Sequence, residues 1–463
     1  MTARRDEADV LIIGAGMAGL AAAARSVQLG AHVMLVEKGE RTGGSAVHAE
    51  FIWTAPTLDV LRTVNPLGDE QLAERLIGGR GPALDWVVAI GVPIEPEVEL
   101  LGFGTGHRTD VGALLSTMER IIRDDPHSAI LLRTDVESLV RDDAGVVTGA
   151  MLIADDGTRR AVTARTTVLA TGGFAGDPGL RAELIHPQAR DIPLRANPHS
   201  NGRGLALGRS VGAAVGADGA GFYGHLMPAG VPPDPQVGLA KLSFFHSEHG
   251  VLVNRHGRRF VDETIGDHLN TMATLEQPDT RALLICDERV HREWMLAAYV
   301  KGLEPIDKFA LAYRLGARCA TADSVEEFAD LPPEWGYPGE AVRDALLEFN
   351  AQCTAGSPAP PRRRDAVALS EPPYYVIELA PAITFTFTGL LTDARARVLD
   401  GDGRPLGGLL AAGADAGGLY VRAYAGGLAA ALVFGLTAAE TATQPTDRQG
   451  DNRCQQPAAM PYR

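Results

Sequence analysis

Two sets of residues in this chain stand where they can do chemistry. The first is the glycine run Gly14-Ala15-Gly16-Met17-Ala18-Gly19, with the carboxylate of Glu37 downstream. Gly14 permits a tight turn, Gly16 lets the backbone approach a pyrophosphate, and Gly19 lets a helix pack closely on a strand. Glu37 can accept hydrogen bonds from a ribose. The second is Tyr424, immediately before Ala425-Gly426-Gly427-Leu428. A phenol at a helix N-terminus can donate to a carbonyl oxygen beside a backbone N–H such as that of Leu428, and the helix dipole adds to the field. Around these lie pocket candidates: Tyr223, His225, His246, Phe385 and Phe387, with Phe222, Phe244 and Phe245 as further apolar walls. His246-Ser247-Glu248-His249 has metal-binding residue types. No cysteine or further carboxylate follows at ligand spacing, so no metal is expected.

These residues need particular elements to hold them. Asp9–Ile13 is a short apolar run, as in a strand buried on both faces. The glycine turn follows it, then a helix over Leu20–Gln28 that Gly30 ends, then a second strand over Ala31–Val36 with Glu37 at its tip. The strand before, the helix after and the acid beyond turn a weak glycine pattern into a dinucleotide site, with the pyrophosphate at the helix N-terminus. The loop Arg41-Thr42-Gly43-Gly44-Ser45 suits further phosphate or ribityl contacts. Val168–Phe174 reads as a strand ending in the turn Ala170-Thr171-Gly172-Gly173, and Leu409–Asp415 as another ending at Gly413. The last helix opens after Tyr424 and runs to about Gly435.

Composition narrows the function classes. At 463 residues two domains are the default. Hydrophobic residues at 45% and charged residues at 22% suit a soluble enzyme. A net charge of −15 argues against nucleic-acid and anionic-membrane partners, which need clustered Lys and Arg. Cys286, Cys319, Cys353 and Cys454 are dispersed, which excludes cysteine-type cluster, haem and zinc motifs and fits a reducing cytoplasm. The apolar stretch from Ala8 to Ala24 is cut by three glycines, and that from Ala425 to Ala439 is short for a bilayer. Arg4-Arg5 is followed by a nucleotide-binding strand rather than a leader. A cytoplasmic location is expected.

The set G-A-G-M-A-G, Glu37-Lys38, T-G-G-S, A-T-G-G and A-A-G-A-D resembles the FAD-binding superfamily of fumarate reductase, 3-ketosteroid Δ1-dehydrogenase and tricarballylate dehydrogenase. The match continues through Asn201-Gly202-Arg203-Gly204, Gly250–Asn254, Gly257–Glu263 and Ile383–Phe387, and so spans most of the chain. The resemblance implies an FAD-dependent oxidoreductase acting on CH–CH bonds. Glu37 would hold the adenosine ribose and Val136 would meet the adenine edge through its backbone. Asp415 would replace the usual Glu against the ribityl chain, one methylene shorter. Lys38, Gly43, Gly44, Ser45, Ala170, Thr171, Gly172, Gly413, Gly427 and Leu428 complete the cofactor set. Ser45 stands where succinate dehydrogenases carry the histidine joined to flavin, so FAD is expected to be non-covalent.

Tyr424 aligns with a Tyr in ketosteroid dehydrogenases and an Arg in fumarate reductases. Asp267-His268 lies where fumarate reductases place a proton-donating Arg. Histidine titrates near neutral pH and a buried Asp can be raised to it, so His268 or Asp267 is the expected acid/base. Loss of both arginines points away from fumarate and toward a small neutral ketone or ester-like carbonyl, since dicarboxylates need bidentate cations. The leading reading is a dehydrogenase that forms a C=C bond beside a carbonyl of a small, cyclic ketone. Its alternatives are the reverse ene-reductase and a flavin-binding subunit without turnover. The electron acceptor is left open among a quinone, a carrier protein and O₂.

The expected fold is α/β. A Rossmann-like FAD-binding domain, a parallel sheet with flanking helices, takes residues 8–224 and 368–445. An inserted α+β capping domain takes 225–367, and 446–463 reads as a disordered tail. In the cap, Leu252–Asn254 and Arg259–Val261 read as a hairpin and Ala341–Asn350 as a helix. Arg362-Arg363-Arg364 reads as a solvated linker face, with a substrate-anion clamp as its rival.

Overall fold

The structure, a computed structural model, describes residues 6–216, 218–231, 240–296 and 304–444. The expected tail and Cys454 lie outside the described residues. The chain folds as the expected α/β architecture, with a parallel sheet beside a second, antiparallel one.

The parallel sheet runs Ala129–Leu131, Val33–Val36, Glu7–Ile13, Arg159–Leu169 and Pro405–Ala411, with Arg397–Leu399 antiparallel at the edge. Val10, Leu11 and Ile12 are wholly buried, because helices cover one face and an antiparallel branch the other. On the helical face Met17–Gln28 packs against the closing helix Gly427–Thr443. Alanines on the first and Gly435 on the second allow the approach. A Cβ at Gly435 would stand 2.5 Å from the Ala18 carbonyl oxygen.

The second sheet orders Phe222–Pro228, Tyr374–Thr386, Ala282–Cys286 and Val251–Asn254, and Cys319–Ala322 pairs with the long strand. Its strands therefore come from both sides of the expected insertion points. The helix Asp267–Leu275 lies on Phe222–Pro228. The register shifts between Tyr223 and Gly224, which sets His225 opposite Ala382 and Tyr223 opposite Phe385. A third sheet of Phe51–Thr54, Gly104–Thr109 and Ile94–Leu100 delivers Trp53 to the closing helix. Gly426 (φ +92°) is needed there, since a Cβ would stand 1.8 Å from the Trp53 carbonyl oxygen.

Two sequence expectations change. The turn at His256-Gly257 forms, but Arg259–Val261 adds only one bridge, Val253 to Arg259. Glu263, fully buried, takes the Leu252 N–H and the Arg259 guanidinium instead. The arginine run is not one solvated face. Arg362 is buried and donates to the carbonyls of Glu248 and Gly250, while Arg363 is exposed beside Asp262. The expected helix extends to Gly339–Thr354. Among the described residues no helix is long and apolar enough to cross a membrane.

Candidate functional site

The strand Glu7–Ile13 ends in the turn that sequence reasoning singled out, and its glycines divide by cause. A Cβ at Gly14 (φ +102°) would stand 2.3 Å from the Ala170 carbonyl oxygen, and one at Gly19 would stand 1.8 Å from that of Gly14. Both are glycine because protein packs on them. A Cβ at Gly16 meets nothing within 4 Å. Gly16 instead borders a cavity of about 720 Å³. It also begins the helix Met17–Gln28, which has neither a capping side chain nor an acid in its first turn. An uncapped helix start facing open space is a natural seat for a pyrophosphate. Gly16→Val is therefore expected to fold, since its backbone (φ −79°, ψ −170°) accepts any residue. It should bind the dinucleotide at least about 10-fold more weakly, because added methyls displace ligand rather than protein. Retained flavin absorbance after gel filtration, beside an unchanged melting curve, checks this.

The same cavity is lined by Glu37, Lys38, Gly44, Ser45, Val136, Ala170, Thr171, Gly172, Gly413, Gly427 and Leu428. Glu37 is held in place by two N–H groups, from Ala15 at 2.9 Å and Gly39 at 2.7 Å. Lys38 donates to Asn201 at 2.9 Å, and burial pulls its ammonium below the ordinary lysine range. Val136 gives its N–H to Asp135, which also holds Arg203. Gly43 supports the loop from behind, donating to the Ala15 carbonyl at 2.7 Å, and Ser45 accepts from Asn197 at 3.0 Å.

Asp415 does not line the cavity. Its buried carboxylate accepts from the Thr171 N–H, the Thr171 hydroxyl and the Gly173 N–H. Gly204 presses on it, since a Cβ there would lie 2.4 Å from the carboxylate. The shorter acid thus points into the protein and fastens the Thr171 turn, which itself faces the cavity. Burial raises its carboxyl, and the Thr171 and Gly173 donors pull the other way.

At the far end stands Tyr424, nearly buried. Its hydroxyl accepts the Gly427 N–H at 2.6 Å, at the first turn of the closing helix. Tyr420 fixes that turn by donating to the carbonyls of Ala425 and Gly426, both at 2.9 Å. Burial pushes the Tyr424 phenol up to about 12, so it keeps its proton at neutral pH and can donate to a ligand oxygen. Tyr223 stacks on it with centroids 3.6 Å apart and planes 13° apart.

The expected acid/base pair is placed unexpectedly. Neither Asp267 nor His268 lines the cavity. His268 is buried with no hydrogen bond at Nε2, and burial lowers it to about 4, so it is neutral at pH 7. Asp267 faces the strand Phe222–Pro228, where it meets His225 Nδ1. His225 Nε2 in turn meets the Tyr223 hydroxyl at 2.7 Å. Tyr223 and His225 do line the cavity, and they are the groups that connect Asp267 to it.

Of the other pocket candidates, Phe385 lines the cavity. Phe387 lies past the end of its strand and packs on Tyr420. His246 is likewise off the cavity and is lowered to about 4 by burial. It sits with His249 and Glu248, ligand atoms within 4.8 Å of one another, while His249 pairs with Asp365 at 2.7 Å and stacks on Trp294.

Sequence reasoning missed three cations at the Tyr424 end: Arg195, Lys241 and Lys308. Arg195 is bound to the hydroxyls of Thr384 and Ser243. Lys308 lies 4.9 Å from the Phe245 ring centroid, and burial lowers it to about 8. The inference from absent arginines to a neutral ligand therefore loses its force, since a guanidinium reaches the pocket from another segment. Nothing local marks Arg195 or Lys308, because each acquires its place only through chain crossings.

Comparison with known proteins places the chain in a family. Residues 9–428 match the family described as FAD binding domain. The chain is 27% identical to "Fumarate reductase (cytochrome)" of Shewanella frigidimarina, over 96% of this chain and 78% of that one. It is 26% identical to vinyl phenol reductase of Lactiplantibacillus plantarum, over 90% and 91% respectively. Its fold superposes on 3-ketosteroid Δ1-dehydrogenase from Sterolibacterium denitrificans with a TM-score of 0.75 at 19% identity, covering 95% of this chain and 99% of that one.

Proposed function

The chain belongs to the FAD-binding-domain family and is an FAD-dependent oxidoreductase, and from that premise we propose that it desaturates a small carbonyl compound. The bond formed is the C=C between the α and β carbons. Bound FAD supplies the acceptor for the β-hydrogen and its electron pair. The chain's own tasks are to hold the carbonyl oxygen and to take the α-proton.

The observation that carries this reading is the Tyr424 phenol. Buried, protonated and seated at a helix start, it is a preorganised donor for the charge that grows on the oxygen. The Leu428 N–H lies in the same first helical turn, on the cavity wall. Phe385 and Phe245 supply apolar walls, and Arg195 and Lys308 make an acidic substituent on the ketone compatible with the pocket. Ser45, whose hydroxyl accepts from Asn197, would leave FAD held there without a covalent bond.

A second reading, reduction of a conjugated alkene, is favoured by the reductase names among the relatives. Anaerobic mixing separates the two. Oxidised enzyme should lose its yellow absorbance with saturated cyclic ketones or keto acids. If only the reduced enzyme responds, and only to enones or unsaturated acids, the direction is reversed. If no carbonyl compound acts in either direction, the proposal falls.

A further inference from the structure

We propose that Tyr223, His225 and Asp267 form a proton relay, with the Tyr223 phenol as the group that exchanges a proton with the substrate and Asp267 as the store. This rests on the carbonyl chemistry proposed above and names the residues that complete it. The relay is read from three contacts. The Tyr223 hydroxyl meets His225 Nε2 at 2.7 Å, His225 Nδ1 meets Asp267 Oδ2, and the Tyr223 ring stacks at 3.6 Å on Tyr424. The phenol that would hold the oxygen and the phenol that would take the neighbouring proton are therefore face to face. Asp267 and His225 have side-chain exposures of 2% and 3%, so their pairing is shielded from water.

The step balances as follows. The α-proton passes to the Tyr223 oxygen while the phenol proton passes to His225 Nε2. The His225 Nδ1 proton passes to the Asp267 carboxylate. The α C–H electron pair becomes the second bond of the C=C, and the β-hydrogen leaves with its pair to the cofactor. Tyr223 ends with its O–H as it began, His225 stays neutral but ends with its N–H on Nε2 instead of Nδ1, and Asp267 has gained the proton. Reduction runs the same sequence backwards.

The electrostatics suit a store that fills and empties near neutral pH. Burial raises Asp267 to about 7, against the pull of His268 on its own helix and of Arg195 and Lys308 across the pocket. Glu248 faces it from the neighbouring turn, and His225 from the strand beneath is kept neutral by burial. Proton abstraction needs ionised Asp267, so flavin reduction should rise with pH and level off above about 7. The pair titrates as one unit, and this limb belongs to it.

Asp267→Asn and Tyr223→Phe, both close in shape to the native side chains, test the relay in the holoenzyme. Each should keep flavin and melting behaviour and slow flavin reduction by about 100-fold, the lower end for a lost acid/base. Asp267→Asn should also flatten the pH limb, which a merely structural role would leave in place. Independently of any substrate, the ¹⁵N-histidine spectrum should show a strongly deshielded Nδ1 proton that Asp267→Asn abolishes. Absence of that proton in the native protein overturns the relay, whatever the substrate proves to be. So does turnover by both variants within twofold of native with the limb unchanged. Failure of the carbonyl reading differs from either, because the native enzyme itself would then fail to react with any ketone.

Discussion

Tyr424→Phe should leave FAD bound and slow flavin reduction by a carbonyl substrate about 100-fold or more, the loss seen when one oxyanion donor is removed. The ring survives the change, so the stack on Tyr223 and the packing against Trp53, 5.7 Å away, persist. What is lost is a phenolic proton on a residue of the cavity wall and an acceptor for the Gly427 N–H. The lost internal hydrogen bond contributes about 1 kcal/mol, too little to unfold the chain. The liberated N–H at the helix start can still meet the substrate oxygen, which sets a residual rate above zero. Because burial holds the phenol near 12, native and variant should share the same pH profile up to about 10. Stopped-flow reduction at matched flavin content measures the ratio, and a ratio near one removes Tyr424 from the chemistry.

Asp415→Ala should be the most damaging single change to the cofactor site without touching the cavity wall. Three donors converge on that carboxylate: the Thr171 N–H, the Thr171 hydroxyl and the Gly173 N–H. Removing it strands the two backbone N–H groups in a buried place, at about 1–3 kcal/mol each. A total loss of about 3 kcal/mol or more is expected. The Thr171 turn borders the cavity, so its loosening should appear as flavin release at lower denaturant than native. Asp415→Asn keeps one acceptor oxygen but turns an NH₂ toward the donors, and should fall between native and Ala. Urea unfolding of the apo and FAD-loaded forms separates the two contributions. Equal stability of Ala and native would mean that water replaces the carboxylate.

The two variants differ in how far sequence alone could foresee them. Tyr424 was legible because a phenol before Ala-Gly-Gly and an apolar helix is a local pattern. The helix start places it, aided by Gly426, whose site tolerates no side chain. Asp415 was legible as a cofactor-region residue, but not its direction. One methylene decides whether a carboxylate reaches outward or folds back onto Thr171, and only the packing of Gly204 against it makes the inward position snug.

The glycine turn was likewise local. Strand, turn, helix and acid are consecutive, and the turn's geometry follows from backbone sterics that neighbouring residues set. That is why the turn at Gly14, Gly16 and Gly19, with Glu37 beyond it, could be read from spacing. The Tyr424 end of the cavity was not local. Asp267 and His268 are adjacent, yet successive residues on a helix point about 100° apart. One lands on the strand Phe222–Pro228 and the other beside it, according to which helix face the sheet covers. Arg195, His225 and Lys308 meet only where separate chain segments cross, and no pattern within any one segment records the meeting. Sequence determined what the protein binds because that depends on near neighbours in the chain. Tertiary structure decided which groups line the cavity, because side-chain direction is set by the surface each element packs against.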